Sequence, residues 1–241
     1  MVASEGNSYV GSELDLFSEV VNWKKYWAGK LQPYIRGDVL EVGAGIGANT
    51  RMLGTGRGSV WTCLEPDSSL CERIRENLVG GVGDPGESRI FNVLCGTLSD
   101  ISKKDFDTII YIDVLEHIRA DRDELEKASF HLRPGGTLIV LSPAHNFLFS
   151  PFDAAIGHLR RYNRRSLLAL SPASMSVESA FYLDSAGLLL SLGNRMLLRQ
   201  SLPKKSQLLF WDRWFVPISR LLDGLLGHSV GKTIVVIWKK N

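Results

Sequence analysis

The chain of 241 residues is short of several things, and each shortage narrows what it can be. Cysteine is scarce: Cys63, Cys71 and Cys95 are the three, and they show no metal-ligand spacing. No metal is expected, and the thiols read as buried, free cysteines of a reducing cytosol. No stretch of about 18 uncharged apolar residues is present, so no transmembrane helix is expected. The opening Met1–Phe17 is polar, carries Glu5, Glu13 and Asp15, and lacks the apolar centre of a signal peptide. A cytoplasmic location is the expectation. Net charge is also small: 28 Lys and Arg against 26 Asp and Glu leave +2, too little to point to a nucleic-acid partner. Internal repeats and low-complexity tracts are missing.

What is present is an ordinary globular composition, with 44% hydrophobic and 22% charged residues. A chain of this length can bury a sizeable core. The most informative stretch runs from Asp38 to Thr50, DVLEVGAGIGANT. It reads as a short apolar strand, a turn containing Gly43, Ala44, Gly45 and Gly47, and the start of a helix. Turns of this kind let a nucleotide approach the backbone. Gly43, Gly45 and Ala48 also satisfy the dinucleotide fingerprint, with Glu65 about 20 residues on, where that fingerprint asks for an acid. The glycines alone therefore fit NAD and S-adenosylmethionine equally. Glu41, two positions before the first glycine, separates them: a carboxylate there repels a pyrophosphate and attracts a cationic cofactor.

A βα rhythm surrounds this motif. Strands are expected at Val39–Val42, Ser59–Leu64, Arg89–Leu94, Thr108–Ile112, Thr137–Leu141, Ser174–Tyr182 and Lys232–Trp238. Helices are expected at Ala48–Leu53, Ser68–Leu78 and Asp121–His131, with a glycine-rich loop over Gly80–Glu87. Such alternation implies a parallel sheet with helices on both faces. Residues 1–11 read as disordered. From Ser12, the positions Leu14, Phe17, Val20, Val21 and Trp23 suit an amphipathic helix, either closing over the pocket or packing on the sheet. After Ser142 the rhythm breaks into a long polar and aromatic loop over residues 143–165. Residues 185–228 read as one or two leucine- and tryptophan-rich helices with a turn at Pro203–Lys205.

The ordered set of the glycine turn, Glu65, Asp113-Val-Leu-Glu-His-Ile118 and Leu132-Arg-Pro-Gly-Gly-Thr-Leu-Ile-Val140 resembles the class I S-adenosylmethionine-dependent methyltransferases over roughly residues 30–145. The resemblance implies an α/β fold: a Rossmann-like, doubly wound, mostly parallel seven-stranded sheet. Helices would cover both faces, and a helical insertion would precede an antiparallel last strand. It implies one domain over 1–241, with a helical cap at 12–36, a cofactor-binding core at 37–145, a substrate loop and helical insertion at 146–230, and the final strand at 231–241. S-adenosylmethionine is then the cofactor. Glu41, Gly43, Ala44, Gly45 and Gly47 would meet its amino acid end, and Glu65 with Pro66 its ribose. Gly96, Thr97 and Leu98 would meet its adenine, and Asp113 and Val114 would line it near the acceptor. Many family members place an acid near the adenine; this chain offers Thr97 and, further on, Asp100.

The segment Asp153-x4-Gly157-His-x-Arg-Arg-Tyr162 is similar to a pattern in a subgroup found beside glycosyltransferases of cell-surface polysaccharide and lipid-linked glycan pathways. Asn22-Trp-Lys-Lys-Tyr26 suits the same subgroup. Asp153, Arg160, Arg161 and Tyr162 are therefore candidates for substrate binding, with adjacent arginines suited to an anionic group. Pairing of the arginines with acids, holding the loop folded, is the structural alternative. His117 and His158 are candidate general bases. The expected acceptor is a hydroxyl or amine of a small molecule, anionic or lipid-linked. The 185–228 segment is open to three readings: a lid packed on the fold, a homodimer surface or a peripheral membrane contact. Two other functions compete. An NAD-dependent oxidoreductase lacks a hydride-transfer set such as Tyr-x-x-x-Lys, and a non-catalytic cofactor-binding relative would not need the acids kept at both ends of the pocket.

Overall fold

The computed structural model describes residues 12–54, 60–79, 90–102, 105–197 and 205–241, apart from the side chains of residues 12, 13, 79 and 194–197. The expectations for residues 1–11, the Gly80–Glu87 loop and the start of the Pro203 turn lie outside these. Seven strands form one sheet: β1 (Val39–Val42), β2 (Val60–Glu65), β3 (Ile90–Cys95), β4 (Phe106–Ile112), β5 (Leu132–Pro143), β6 (Met175–Leu183) and β7 (Thr233–Lys240). Their order across the sheet is β3-β2-β1-β4-β5-β7-β6. β1 to β5 run parallel, and β7 inserts antiparallel between β5 and β6. The sequence of helices is α1 (Ser12–Ser18), α2 (Val21–Leu31), α3 (Ala48–Leu53), α4 (Ser68–Val79), α5 (Asp121–His131), α6 (Pro151–Ala155), α7 (Arg164–Leu168), α8 (Ser185–Leu197), α9 (Lys205–Phe210) and α10 (Val216–Leu225). The expected Rossmann-like sheet with its helical insertion before the last strand is what the chain forms.

The central strands read as unbroken apolar runs because both faces are covered. Successive side chains alternate between faces. Val39 joins a core with Trp23, Trp27, Leu53 and Trp61, while Leu40 and Val42 join another with Leu125, Ala128 and Trp238. Glu41, one step from each, turns to the Val39 side, beneath α3. The strand order reverses between β1 and β4, and the crevice outside their carboxyl ends is where open α/β sheets place ligands.

Three buried acids tie the insertion to the sheet. Asp212, in a π-helical turn over Trp211–Phe215, accepts the backbone N–H of Val21, Asn22 and Trp23, the open N-terminus of α2. Asp223 of α10 accepts from Tyr26 Oη and from the N–H of Asp184 and Ser185 at the start of α8. Asp184 accepts from Ser219 Oγ, Trp211 Nε1 and Gly187 N. Helix N-termini leave unpaired donors; Asp212 and Asp223 meet them from distant parts of the chain, and Asp184 from the residue before its own helix.

Three sequence expectations are corrected. Residues 143–165 are not one unstructured loop: Ser150 and Asp153 build a reciprocal capping box at α6, and Tyr162 forms a bridge with Ala144. The amphipathic stretch from Ser12 is two helices rather than one, with Val20 N-terminal to the second. The cysteines are not all free: Cys71 of α4 and Cys95 at the end of β3 are joined, with Cα atoms 6.1 Å apart, while Cys63 is buried and free.

Candidate functional site

A cleft of about 2400 Å³ opens at the carboxyl ends of β1 and β4. Its floor is the glycine turn. At Gly43 the backbone adopts φ 68°, and a Cβ there would come within 2.6 Å of Val114 Cγ2, so the turn after β1 packs directly on the turn after β4. The N–H groups of Gly43 and Ala44 both go to Leu64 O, and that of Gly45 goes to Glu65 Oε2 at 2.9 Å. These amides pin the turn to β2 rather than stand free. What the glycines offer a ligand is the absence of side chains. Gly45 lines the cleft beside Ala44, and Gly47 begins α3 behind it.

Glu65 lines the cleft and Pro66 continues its wall. The carboxylate accepts from Gly45 N and, at 3.2 Å, from Asp67 N, which leaves one lone pair on each oxygen for a hydroxyl pair. Burial raises its pKa, partly offset by those two amides. Gly96, Thr97 and Leu98 continue the wall after β3. Thr97 is committed locally, since its N–H and Oγ1 both bond Asp100 Oδ2.

Glu41 does not line the cleft. It is buried, accepting from Thr50 Oγ1 at 2.6 Å and Trp61 Nε1 at 2.9 Å. Burial lifts it to about 7, with the two bonds and the Lys24 charge pulling the other way. Lys24, on α2, does line the cleft. Burial lowers its pKa against the attraction of Asp113 and Glu41. In the sequence Lys24 stands only within the Asn22-Trp-Lys-Lys-Tyr26 motif and not among the expected cofactor residues, although its spacing from Val20 and Trp27 places it on the inward face of α2. Leu14 and Phe17 of α1 roof the same space: Leu14 lies 3.5 Å from the position of a Gly45 Cβ, and Phe17 meets Phe152 of α6 at 6.3 Å between ring centroids. The N-terminal helices therefore both pack on the sheet and close the cleft.

Asp113 follows β4 with φ 53°, an uncommon conformation for a residue with a side chain. It is exposed to the cleft, yet the surrounding protein raises it to about 6, against the charges of His158, Lys232 and Lys24. Beyond it stand the histidines. Their rings meet edge to face at 4.7 Å, and both line the cleft. Burial, then the neighbouring His158, draws His117 down to about 4, so its imidazole is neutral at neutral pH. His158 Nδ1 bonds Asp153 Oδ1 at 2.9 Å, which leaves Nε2 toward Glu116, 3.7 Å from Oε1. Asp153 is fully buried; its bonds from His158 and Arg161 outweigh burial and hold it below the usual carboxylate range. Arg161 grips it with Nε at 2.8 Å and Nη2 at 2.9 Å.

The loop residues thus divide. Asp153, His158 and Arg161 form one chain of bonds at the histidine end of the cleft. Arg160 and Tyr162, expected on the substrate side, turn to Asp121 instead, at 2.5 and 2.8 Å, and neither lines the cleft. Burial and the Asp121 bond push the Tyr162 phenol pKa upward. This is the structural pairing the sequence left open for the arginines.

The relatives agree with this architecture. A family model described as a methyltransferase domain matches residues 40–138. No curated protein is significantly similar to the chain in sequence. Among solved structures, the chain is similar to one from the complex between the Haloferax volcanii Trm112 methyltransferase activator and its methyltransferase, at 16% identity and TM-score 0.63, covering 100% of this chain and 99% of that one. It is also similar to geranyl diphosphate C-methyltransferase from Streptomyces coelicolor, solved with S-adenosyl-L-homocysteine, at 11% identity and TM-score 0.65, covering 98% and 85%. The [4+2]-cyclase SpnF aligns at 13% identity and TM-score 0.61, covering 96% and 94%. The chain has the class I methyltransferase fold. The cyclase is a reminder that this fold alone does not dictate the reaction.

Proposed function

We propose that this chain is an S-adenosylmethionine-dependent methyltransferase acting on a hydroxyl or amine of a small molecule, with an anionic or lipid-linked glycan precursor as the acceptor class its motifs suggest. The observation that carries the reading is the continuity of one cleft from the glycine turn and Glu65, past Asp113, to His117 and His158. Cofactor and acceptor would share that space.

The residues suit the parts of the cofactor. Glu65 would hold the ribose hydroxyls, with Pro66 shaping the wall. Gly96, Thr97 and Leu98 would flank the adenine. The amino acid end would lie over Gly43, Ala44 and Gly45, its carboxylate toward Lys24 and its ammonium toward Asp113 and the field of Glu41. Val114 and Gly47 would shape the turn around it. When bound, the cofactor supplies a methyl group on an electrophilic sulfonium. The protein's part is alignment and exclusion of water, to which the Leu14, Phe17 and Phe152 roof contributes. His158, held in one tautomer by Asp153 and Arg161, would accept the acceptor's proton at Nε2, and neutral His117 would orient it.

Calorimetry with S-adenosylmethionine and with NADH tests the class. The expected result is saturable binding of the former, and S-adenosylhomocysteine release on a panel of hydroxylated and amino glycans. NADH binding without S-adenosylmethionine binding would overturn the proposal in favour of an oxidoreductase. Cofactor binding with no turnover on a broad panel would favour a non-catalytic relative.

A further inference from the structure

We propose that Glu116, His117 and His158 form a binding site for one divalent transition-metal ion at the acceptor end of the cleft. A ligand atom from each, a carboxylate oxygen and two ring nitrogens, lies within 4.8 Å of the others. Two atoms each about 2.1 Å from a shared ion sit roughly 3–4 Å apart. Glu116 Oε1 and His158 Nε2, at 3.7 Å, already have that spacing, which is too long for a hydrogen bond.

A second observation points the same way. Glu116 is fully buried, and its Oε1 has no hydrogen-bond partner. Buried polar atoms are seldom left so, and one that is calls for an explanation such as an ion. The orientation is enforced: Ser142 Oγ donates to Oε2 at 2.9 Å, leaving Oε1 toward the histidine.

The surrounding bonds are those a metal site needs. Asp153 takes the Nδ1 proton of His158, so Nε2 carries the lone pair, and Arg161 holds Asp153 in turn. Carboxylates behind metal-bound histidines fix ring and tautomer in this way. His117 bonds the backbone of Gly157, whose missing Cβ would lie 3.6 Å from Nδ1, and this holds its ring against that of His158.

The cations nearby are already engaged and leave room for a dication: Arg161 is bonded to Asp153, and Lys232 lies 3.4 Å from Asp184. Two imidazoles and one carboxylate suit Mn²⁺, Fe²⁺, Co²⁺ or Zn²⁺ better than Mg²⁺ or Ca²⁺, which prefer oxygen. Three protein ligands leave coordination positions open toward the cleft, where an acceptor oxygen could bind. The inference uses the cleft described above; with an ion bound, His158 Nε2 would be a ligand rather than the acceptor's base, and the ion would lower the pKa of the acceptor group in its place.

The test is calorimetric titration of the full chain, stripped with a chelator, with Mn²⁺ or Co²⁺ alone, supported by the visible absorption of bound Co²⁺. Expected are one ion per chain, proton release on binding, and affinity lower by about tenfold or more in Glu116→Gln and in His158→Gln. Glu19→Gln, a surface acid paired with Lys205, should bind as the unaltered protein does. Thermal melting confirms folding; should Glu116→Gln not fold, His158→Gln and Ser142→Ala carry the test. No saturable binding at millimolar ion, or a site that these variants leave unchanged, overturns the proposal. S-adenosylmethionine titrated into the same samples separates the two readings. Cofactor binding without ion binding removes only the metal site, and ion binding without cofactor binding removes only the methyltransferase.

Discussion

Two raised carboxyls make the cleft sensitive to pH at the scale of single residues. Glu41 stands at about 7 through burial, and Asp113 at about 6 because the protein around the cleft displaces its water. An acid whose folded pKa exceeds its unfolded value favours the fold at low pH, and that contribution is lost as pH rises through the folded value. Glu41→Gln is accordingly expected to raise the melting temperature more at about pH 8 than at about pH 5. Cofactor binding has the opposite sign, because a cation favours the ionised acids. Affinity for S-adenosylmethionine should increase from about pH 5 to about pH 8, and Glu41→Gln should flatten that rise in calorimetry. Glu65→Ala should weaken cofactor binding by about 1.5–3 kcal/mol, the scale of charge-assisted bonds; unchanged affinity would remove its ribose role. Arg161→Ala should cost acceptor turnover while sparing cofactor affinity, since Arg161 acts through Asp153 and His158. Spacing in the sequence was enough to single out Glu41, Glu65, Asp113 and the histidines. It could not say that Glu41 spends its bonds on Thr50 and Trp61, or that Arg160 turns to Asp121, because those partners come from other segments.

At the scale of elements, the helical insertion is held by carboxylates rather than by its leucines alone. Asp212 accepts three backbone N–H groups of α2 across about 190 positions of sequence, at 3.2, 3.1 and 2.8 Å. Asp212→Ala is therefore expected to destabilise the fold by about 2 kcal/mol, the upper end for a helix cap, read by chemical denaturation. Asp212→Asn, which keeps an acceptor, should cost less. The strands were legible because a sheet covered on both faces demands apolar runs bounded by turns; β1 falls where expected, and the ends of the others lie within five residues of expectation. β5 grew most, from Thr137–Leu141 to Leu132–Pro143: pairing with β7 extends it to Pro143, and pairing of Leu132 with Phe106 across a register shift carries it back through the Arg133-Pro-Gly-Gly136 turn signal. Ser150-Pro-Phe-Asp153 was a readable capping box, and it explains why the expected loop contains α6.

At the scale of the whole molecule, an apolar stripe stands uncovered among the described residues. Phe210, Trp214, Ile218, Leu221 and Leu225, spaced by three or four residues, are all largely exposed, with Arg213 and Arg220 beside them. None of the described helices is long and apolar enough to cross a membrane. If a second copy or a membrane surface covers this stripe, replacing Leu221 and Leu225 with glutamate will abolish self-association or vesicle binding and leave cofactor affinity intact. Sedimentation velocity and flotation with anionic phospholipid vesicles tell these two apart. At this scale the division between sequence and structure is clear. Local order along the chain determined the parallel sheet, the glycine turn and the acids at the strand ends, because alternation, turn residues and strand-end carboxylates act over a few neighbouring positions. Tertiary structure alone decided which acids face the cleft and which are spent inside, that Lys24 joins the site, and that Glu116 meets two histidines with an oxygen to spare. Those outcomes depend on partners brought together from distant segments, where the desolvation of each charge is set by everything packed around it.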